Sequence, residues 1–323
     1  MASALISHAG LPMSEPMALG LASAVLFAHI PFIKVGGQPL TAYRSLPGHV
    51  LKGLERTVGV RFARQRFKDP QEAEEALDQA LASGVPVGLQ TGVFWLPYFP
   101  PEMRFHFNAH NLVIIGRTPE GVYRVSDPVF EELQVCDPQS LQRARFAEGA
   151  FAPKGLMYQV ESVPASLNYP RLIPIAIHRA VRVNHAVPVP FVGAWAIRRL
   201  AARIGSLDRH LRDRRSQALF IGHIIRMQEE IGTGGGGFRF MYASFLQESA
   251  RILQDEHLDE LAALMVDSGD RWRSFAAVGV DFCRGEGSTG LTEVSRALRA
   301  CGEAEATAWG GLRGWLRGQR AGR

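Results

Sequence analysis

The stretch Phe105-His106-Phe107-Asn108-Ala109-His110-Asn111-Leu112-Val113-Ile114-Ile115-Gly116, followed by Arg117-Thr118-Pro119-Glu120-Gly121 and Val122-Tyr123-Arg124-Val125-Ser126-Asp127-Pro128, decides how this chain is read. Its apolar runs on either side of a Pro- and Gly-containing turn predict an antiparallel hairpin with a histidine near the start of its first strand. If the turn closes with two or four loop residues, Leu112 lies opposite Asp127, and His110 and Asp127 become diagonal neighbours on one face. A three-residue loop instead sends the two side chains to opposite faces. In the first case a carboxylate could hold the imidazole tautomer that nucleophilic catalysis requires. In the second, His110 is a hydrogen-bonded core histidine. His106 shares a strand face with His110, but no third ligand stands at useful spacing, which argues against a metal. Asn108 and Asn111 flank the histidine and either fix a substrate or cap strand ends.

Outward from this hairpin, the first half reads as helices and then sheet, an α+β order. Ser14-Glu15-Pro16 opens a helix with serine as N-cap, Phe32 to Leu40 reads as a Gly/Pro-rich loop, and Leu46-Pro47 opens another helix that ends near Gly59. Val60 to Phe67 alternates like a strand, and Asp69-Pro70 caps an acidic helix stopped by Gly84. Val85 to Leu96, Phe107 to Gly116, Val122 to Ser126, Glu131 to Val135 and Leu156 to Val160 predict a mainly antiparallel sheet, with a helix at Pro138 to Arg145. Glu161 to Tyr169 is the natural linker. Beyond it a 3.6-residue period dominates, so the expected division is 1–163 and an all-α domain over 164–323.

The length of 323 residues agrees with two domains, and 46% hydrophobic residues can fill two cores. The odd set of Cys136, Cys283 and Cys301 shows no metal or disulfide spacing and predicts a reducing compartment. Met17 to Ile33 is too short and too interrupted to span a bilayer, and it lacks a signal peptide's leader. The expectation is a cytoplasmic protein with no integral membrane segment. Residues 171–215 carry ten arginines against Asp208 and Asp213. That stripe is a solvated helical face or a dock for an acidic partner. No aromatic residues alternate with the arginines as a nucleic-acid platform needs, so no nucleic acid is expected. Gly232-Thr233-Gly234-Gly235-Gly236-Gly237 follows a helix rather than a strand. It is a hinge, or a loop whose amides approach a phosphate or acyl-pantetheine near Arg239. Trp95-Leu96-Pro97-Tyr98-Phe99-Pro100 either lines an acyl or sugar pocket or packs as a proline-rigid loop.

Leu11-Pro12-Met13-Ser14-Glu15-Pro16-Met17, Phe94-Trp95-Leu96-Pro97-Tyr98-Phe99-Pro100, Phe107-Asn108-Ala109-His110-Asn111 and Val125-Ser126-Asp127-Pro128 together resemble the butirosin biosynthesis protein H N-terminal family over about residues 1–162. Its members look like papain-type, bacteriocin-processing cysteine peptidases in fold. Ile231 to Tyr242 and Gly269-Asp270-Arg271-Trp272 resemble the uncharacterised helical domain that follows in such proteins. The resemblance implies a papain-like cysteine peptidase fold and an acyltransferase. The acyl donor would be the phosphopantetheine thioester of an acyl carrier protein, the acceptor a small-molecule amine or hydroxyl, and no bound cofactor is implied. His110 would be the general base and acid, and Asp127 its orienting partner. The family's cysteine falls about four residues before an Ala-Leu pair matched by Ala4-Leu5, hence just ahead of Met1. The helix expected over Met1 to Ala9 has no capping residue, so the chain is expected to enter it part-way. Ser3 and Ser7 do not stand at the matched position. A non-catalytic protein that binds a carrier or synthase, and a leader-clipping peptidase, are the other two readings.

Overall fold

A computed structural model describes residues 1–186, 189–230, 234–285 and 288–321. The chain divides into two compact units, Met1–Ala18 with Leu46–Leu167, and Leu19–Ser45 with Asn168–Arg323. The break at 167/168 falls four residues after the expected 163/164. The larger difference is the excursion of residues 19–45 into the second unit.

In the first unit, α1 (Ala2–His8) and the start of α2 (Glu15–Leu21) precede α3 (Pro47–Val58), β3 (Arg61–Gln65), α4 (Pro70–Ala82), β4 (Val87–Thr91), β5 (His110–Arg117), β6 (Tyr123–Ser126), β7 (Gln134–Cys136), α5 (Pro138–Arg145) and β8 (Met157–Ser162). The strands form a six-stranded sheet in the order β3-β8-β4-β5-β6-β7, antiparallel throughout. Capping fixes the helices where the sequence places them. The Asp69 carboxylate accepts from the amide of Gln71 at 2.7 Å, and that of Asp137 accepts from Ser140 at 2.8 Å. One face of the sheet carries Val87, Leu89, Leu112, Ile114 and Val125, which bury against Ala73 and Leu77 of α4 and Leu141 and Ala144 of α5.

The strand expected over Val85 to Leu96 stops at Thr91. At Gly92 the amide turns to the carbonyl of Ala144 at 2.8 Å, and a side chain there would meet Asn108 Oδ1 at 2.7 Å and Ala147 Cβ at 2.8 Å. The chain then coils through a 3-10 turn at Val93–Trp95.

The second unit contains α6 (Tyr169–Val181), α7 (Gly193–Gly205), α8 (Arg214–Glu229), α9 (Arg239–Leu253), α10 (Glu256–Arg284) and α11 (Leu291–Ala321), as the 3.6-residue period predicts. It is not all-helical. Phe32 to Leu40, expected to be a loop, belongs to a hairpin of β1 (Val25–Val35) and β2 (Gln38–Arg44). Val35 pairs with Gln38 across Gly36-Gly37, whose φ angles of +57° and +79° suit the left-handed two-residue turn of a hairpin. Pro31 is tolerated because the ladder is irregular between Ile30 and Lys34.

Candidate functional site

The hairpin turn takes the form that sequence reasoning set against the site. Thr118 N–H donates to Val122 O at 2.8 Å and Gly121 N–H to Thr118 O at 2.9 Å, so the loop is the three residues Pro119, Glu120 and Gly121, with Gly121 at φ +85°. Alone, this register would turn His110 and Asp127 away from each other. The ladder corrects it. Gly116 pairs with Arg124 but Ile114 pairs with Val125, so Ile115 is one extra residue, a bulge, and from Val113↔Ser126 onward the register has shifted by one. Ile115 is the exposed residue of an otherwise buried run, as expected for the residue displaced from the ladder. Two irregularities cancel, and Leu112 comes opposite Asp127 after all.

As a result, His110, the first residue of β5, places Nε2 2.6 Å from Oδ2 of Asp127, just past the end of β6. Both residues are buried. Two further donors reach the carboxylate: Tyr98 O–H donates to Oδ2 at 2.8 Å, and Val129 N–H donates to Oδ1 at 3.0 Å. Burial on its own raises the Asp127 carboxyl. The electrostatic attraction and hydrogen bond of His110, with the Val129 amide and the Tyr98 hydroxyl, outweigh it and hold Asp127 below the ordinary carboxylate value. Tyr98 is driven the other way, by burial first and by the Asp127 charge second, and remains a protonated donor. Phe99 sets its ring edge-on to His110 at 5.5 Å, and Phe130 packs on both Tyr98 and Phe99. With an ionised Asp127 accepting from Nε2–H, the lone pair of the neutral imidazole lies on Nδ1. The arrangement therefore presents an oriented base with one nitrogen to spare.

Tyr98 is the residue sequence reasoning missed, since its aromatic segment was assigned only to lining a pocket or to rigid packing. Its only signal was a phenol within a proline-flanked apolar run, where a buried hydroxyl needs a partner. The other residues singled out go elsewhere. His106 is exposed and stacks on Phe94 at 4.2 Å, whereas His110 is buried. Asn108 donates to the carbonyls of Glu148 and Ala150, fixing the loop beside Gly92. Asn111 accepts from Tyr158 O–H at 3.0 Å, and Tyr158 O–H also lies 3.7 Å from Met1 Sδ, so the start of α1 sits beside the residue next to His110. Among the described residues no group of three or more potential metal ligands forms. Gly232 and Thr233 lie outside the described residues. Gly235, Gly236 and Gly237 stand where a Cβ would strike Arg273, Phe240 and Tyr43, and Arg239 is fully buried against Glu305. Arg239 is thus a structural ion-pair partner, not a free phosphate ligand.

None of the three thiols is activated. Burial pushes Cys136 up to about 12, raises Cys283, and raises Cys301 well above the ordinary thiol value. Ser7, the hydroxyl on α1 closest to its end, is tied to the backbone of Met13. A cavity of about 530 Å³ opens in the same unit, lined by Gln90, Ala109, Asn111, Leu156 and Tyr158 together with Lys52 and Arg66. It includes both chain neighbours of His110, Ala109 and Asn111.

Residues 139–312 match the family model described as Domain of unknown function (DUF4872), and these are more than half of the chain. The chain belongs to the DUF4872 family. Residues 1–128 match the model described as Butirosin biosynthesis protein H, N-terminal, so the DUF4872 region follows that N-terminal module directly. A solved structure described as a putative C39-like peptidase from Bacillus anthracis is 14% identical, covering 50% of this chain and 87% of that one, with a TM-score of 0.35. No curated protein matches. The family assignment and the α+β architecture agree with the sequence reading, and no helix among the described residues is long and apolar enough to cross a membrane.

Proposed function

We propose that this protein is a papain-like acyltransferase that moves an acyl group from the phosphopantetheine thioester of an acyl carrier protein to a small-molecule amine or hydroxyl. The observation that carries the reading is the buried His110 Nε2 to Asp127 Oδ2 hydrogen bond of 2.6 Å, which leaves Nδ1 free to act as a base. The match of residues 1–128 to a biosynthesis-protein module supports the setting.

The reading requires a cysteine ahead of Met1, entering α1 beside Tyr158. Nδ1 of His110 would take the thiol proton as sulfur attacks the thioester carbonyl. The imidazolium would return that proton to the departing pantetheine sulfur, leaving an acyl-cysteine. His110 would next deprotonate the acceptor as it attacks the acyl-cysteine carbonyl, and finally reprotonate the cysteine. Asp127 acts throughout by holding Nε2–H and stabilising the imidazolium, without taking the proton itself.

The first test is the coding sequence upstream of the Met1 codon, where an in-frame His-Cys is expected. The second uses a carrier protein loaded with a radiolabelled acyl group. The chain carrying that segment should become labelled, and His110→Ala should abolish labelling. An upstream frame without cysteine, or labelling indifferent to His110→Ala, overturns the proposal. One observation favours a second reading, a carrier- or synthase-binding protein that retains the pocket: none of the sequence's own thiols is activated. Carrier binding that survives His110→Ala, with no acyl transfer, selects it.

A further inference from the structure

Part of the arginine stripe singled out in the sequence lies on α7. Ala194, Ile197, Leu200, Ala201 and Ile204 turn inward and are buried, while Trp195, Arg198, Arg199, Ala202 and Arg203 are exposed. Their helical spacing puts these five on one face. Trp195 is 53% exposed, whereas Trp272, Trp309 and Trp315 are buried and donate to carboxylates. Phe32 of β1, 70% exposed, lies in the stretch between Ile30 and Lys34 where β1 leaves its ladder. Its ring meets Phe191 edge-on at 5.3 Å, and Arg199 lies over Phe191 at 5.6 Å, so Phe32 and α7 contribute to one surface. Ile33 and Lys34 beside Phe32 are exposed as well.

The charge of this surface has one sign. Among the described residues Arg198, Arg199 and Arg203 have no ion-pair partner. Burial first, and then Arg203, His223 and Lys34, lowers the His29 imidazole to about 4. Burial, then Arg313 of α11 and Arg198, lowers His185. No carboxylate is among these neighbours, so positive charge reaches from Lys34 on β1 to Arg313 on α11. A two-fold contact with a second copy would set these arginines against one another. Large apolar side chains standing in water among such cations call for an anionic partner with an apolar layer. A lipid bilayer supplies both. Its phosphates bind guanidinium groups, and the interface beneath them accepts protruding aromatic rings without a matching pocket.

We propose that this face of the second unit docks on an anionic lipid surface, with Arg198, Arg199 and Arg203 on headgroup phosphates and Phe32, Ile33 and Trp195 in the interfacial layer. The attachment is peripheral and reversible, and it does not depend on the acyltransferase reading.

Co-sedimentation of the full chain with vesicles of phosphatidylcholine alone, or mixed equally with phosphatidylglycerol, tests it. Binding to the mixed vesicles only is expected, falling steeply as salt rises from about 0.1 to about 1 M. The three arginines are exposed, so R198Q/R199Q/R203Q should fold, as its circular dichroism checks, and partition at least about thirtyfold more weakly. F32S/W195S should keep the salt dependence and bind about tenfold more weakly. Tryptophan emission should shift to the blue on mixed vesicles, and Trp195→Phe should remove most of that shift while still binding. Absence of vesicle binding, equal binding to phosphatidylcholine, or binding that survives the triple arginine variant overturns the inference. So does a complex with an acyl carrier protein, or self-association on gel filtration, that the same variants abolish while vesicles are ignored. The first would mark an acidic protein as the partner and the second another copy of this chain.

Discussion

Each unit buries a hydrogen-bonded pair of an acidic and a basic side chain, His110 with Asp127 and Arg239 with Glu305, and the two pairs are built to different ends. In the helical unit, Arg239 Nε meets Glu305 Oε1 at 2.5 Å, and Trp272, Trp309 and Ser268 all donate to the same carboxylate. The guanidinium also donates to the carbonyls of Gly237 and Leu26, and lies over the rings of Tyr43 and Trp272. These contacts tie β1, β2, α9, α10 and α11 together, with only Nη2 of Arg239 lacking a partner among the described residues, so the pair specifies how they pack. In the sheet unit, Asp127 accepts from His110, Tyr98 and Val129, but its basic partner keeps Nδ1 unspent. A buried ion pair gripped from several elements stabilises one arrangement, whereas a buried His–Asp pair whose imidazole keeps an open nitrogen is an arrangement for moving a proton.

Asp127→Asn breaks the comparison most strongly. An amide in place of the carboxylate favours the wrong tautomer, and in a chain that carries the upstream thiol, acyl transfer should fall by about 10⁴-fold. A residual rate within about tenfold of wild type would remove Asp127 from the mechanism. Glu305→Ala should leave the Arg239 charge buried alone and cost about 3–5 kcal/mol in urea unfolding. A loss below about 1 kcal/mol would show that the pair is not the keystone of its unit. Acid sharpens the comparison. Asp127 and Glu305 are both held below ordinary carboxyl values, Glu305 because Arg239 and its hydrogen-bond donors outweigh burial, so the stability they add is present above about pH 4.5 and is lost as pH falls through their lowered values. His29 acts earlier. Its unfolded ring binds a proton near pH 6.5 while the folded one resists until about 4, so the unfolded state holds more protons in between and stability falls as the pH is lowered through that window. The loss is roughly 3 kcal/mol at most, and thermal melts of His29→Asn should lack that slope. Tyr98→Phe removes one of three donors to Asp127 and should cost about 1–2 kcal/mol of stability, with a smaller effect on rate than Asp127→Asn.

Much of this was legible in the sequence, for local reasons. Asp137-Pro138 and Asp69-Pro70 are caps that act within three residues, and α5 lies where its cap and period put it. His110 and Asp127 were legible as candidates because a hairpin brings residues 17 apart into contact by counting. Counting alone gave the wrong parity for the observed turn, since nothing in Val113-Ile114-Ile115-Gly116 marks Ile115 as the displaced residue. The Gly36-Gly37 turn was written in the sequence, but Pro31 and Pro39 on either side disguised the strands as a loop. Arg239 and Glu305 were illegible: helical periodicity says that a residue faces inward, not which residue 66 positions away it meets.

The central claim is that Asp127 holds the Nε2–H tautomer of His110 and leaves Nδ1 as the basic nitrogen. Nitrogen-15 NMR of the neutral form of the His110 ring in the folded chain reads this directly, with Asp127→Asn as the reference. The account predicts a protonated, hydrogen-bonded Nε2 and an unprotonated Nδ1, with the preference lost in the variant. A proton resident on Nδ1, or a tautomer indifferent to Asp127→Asn, would contradict it.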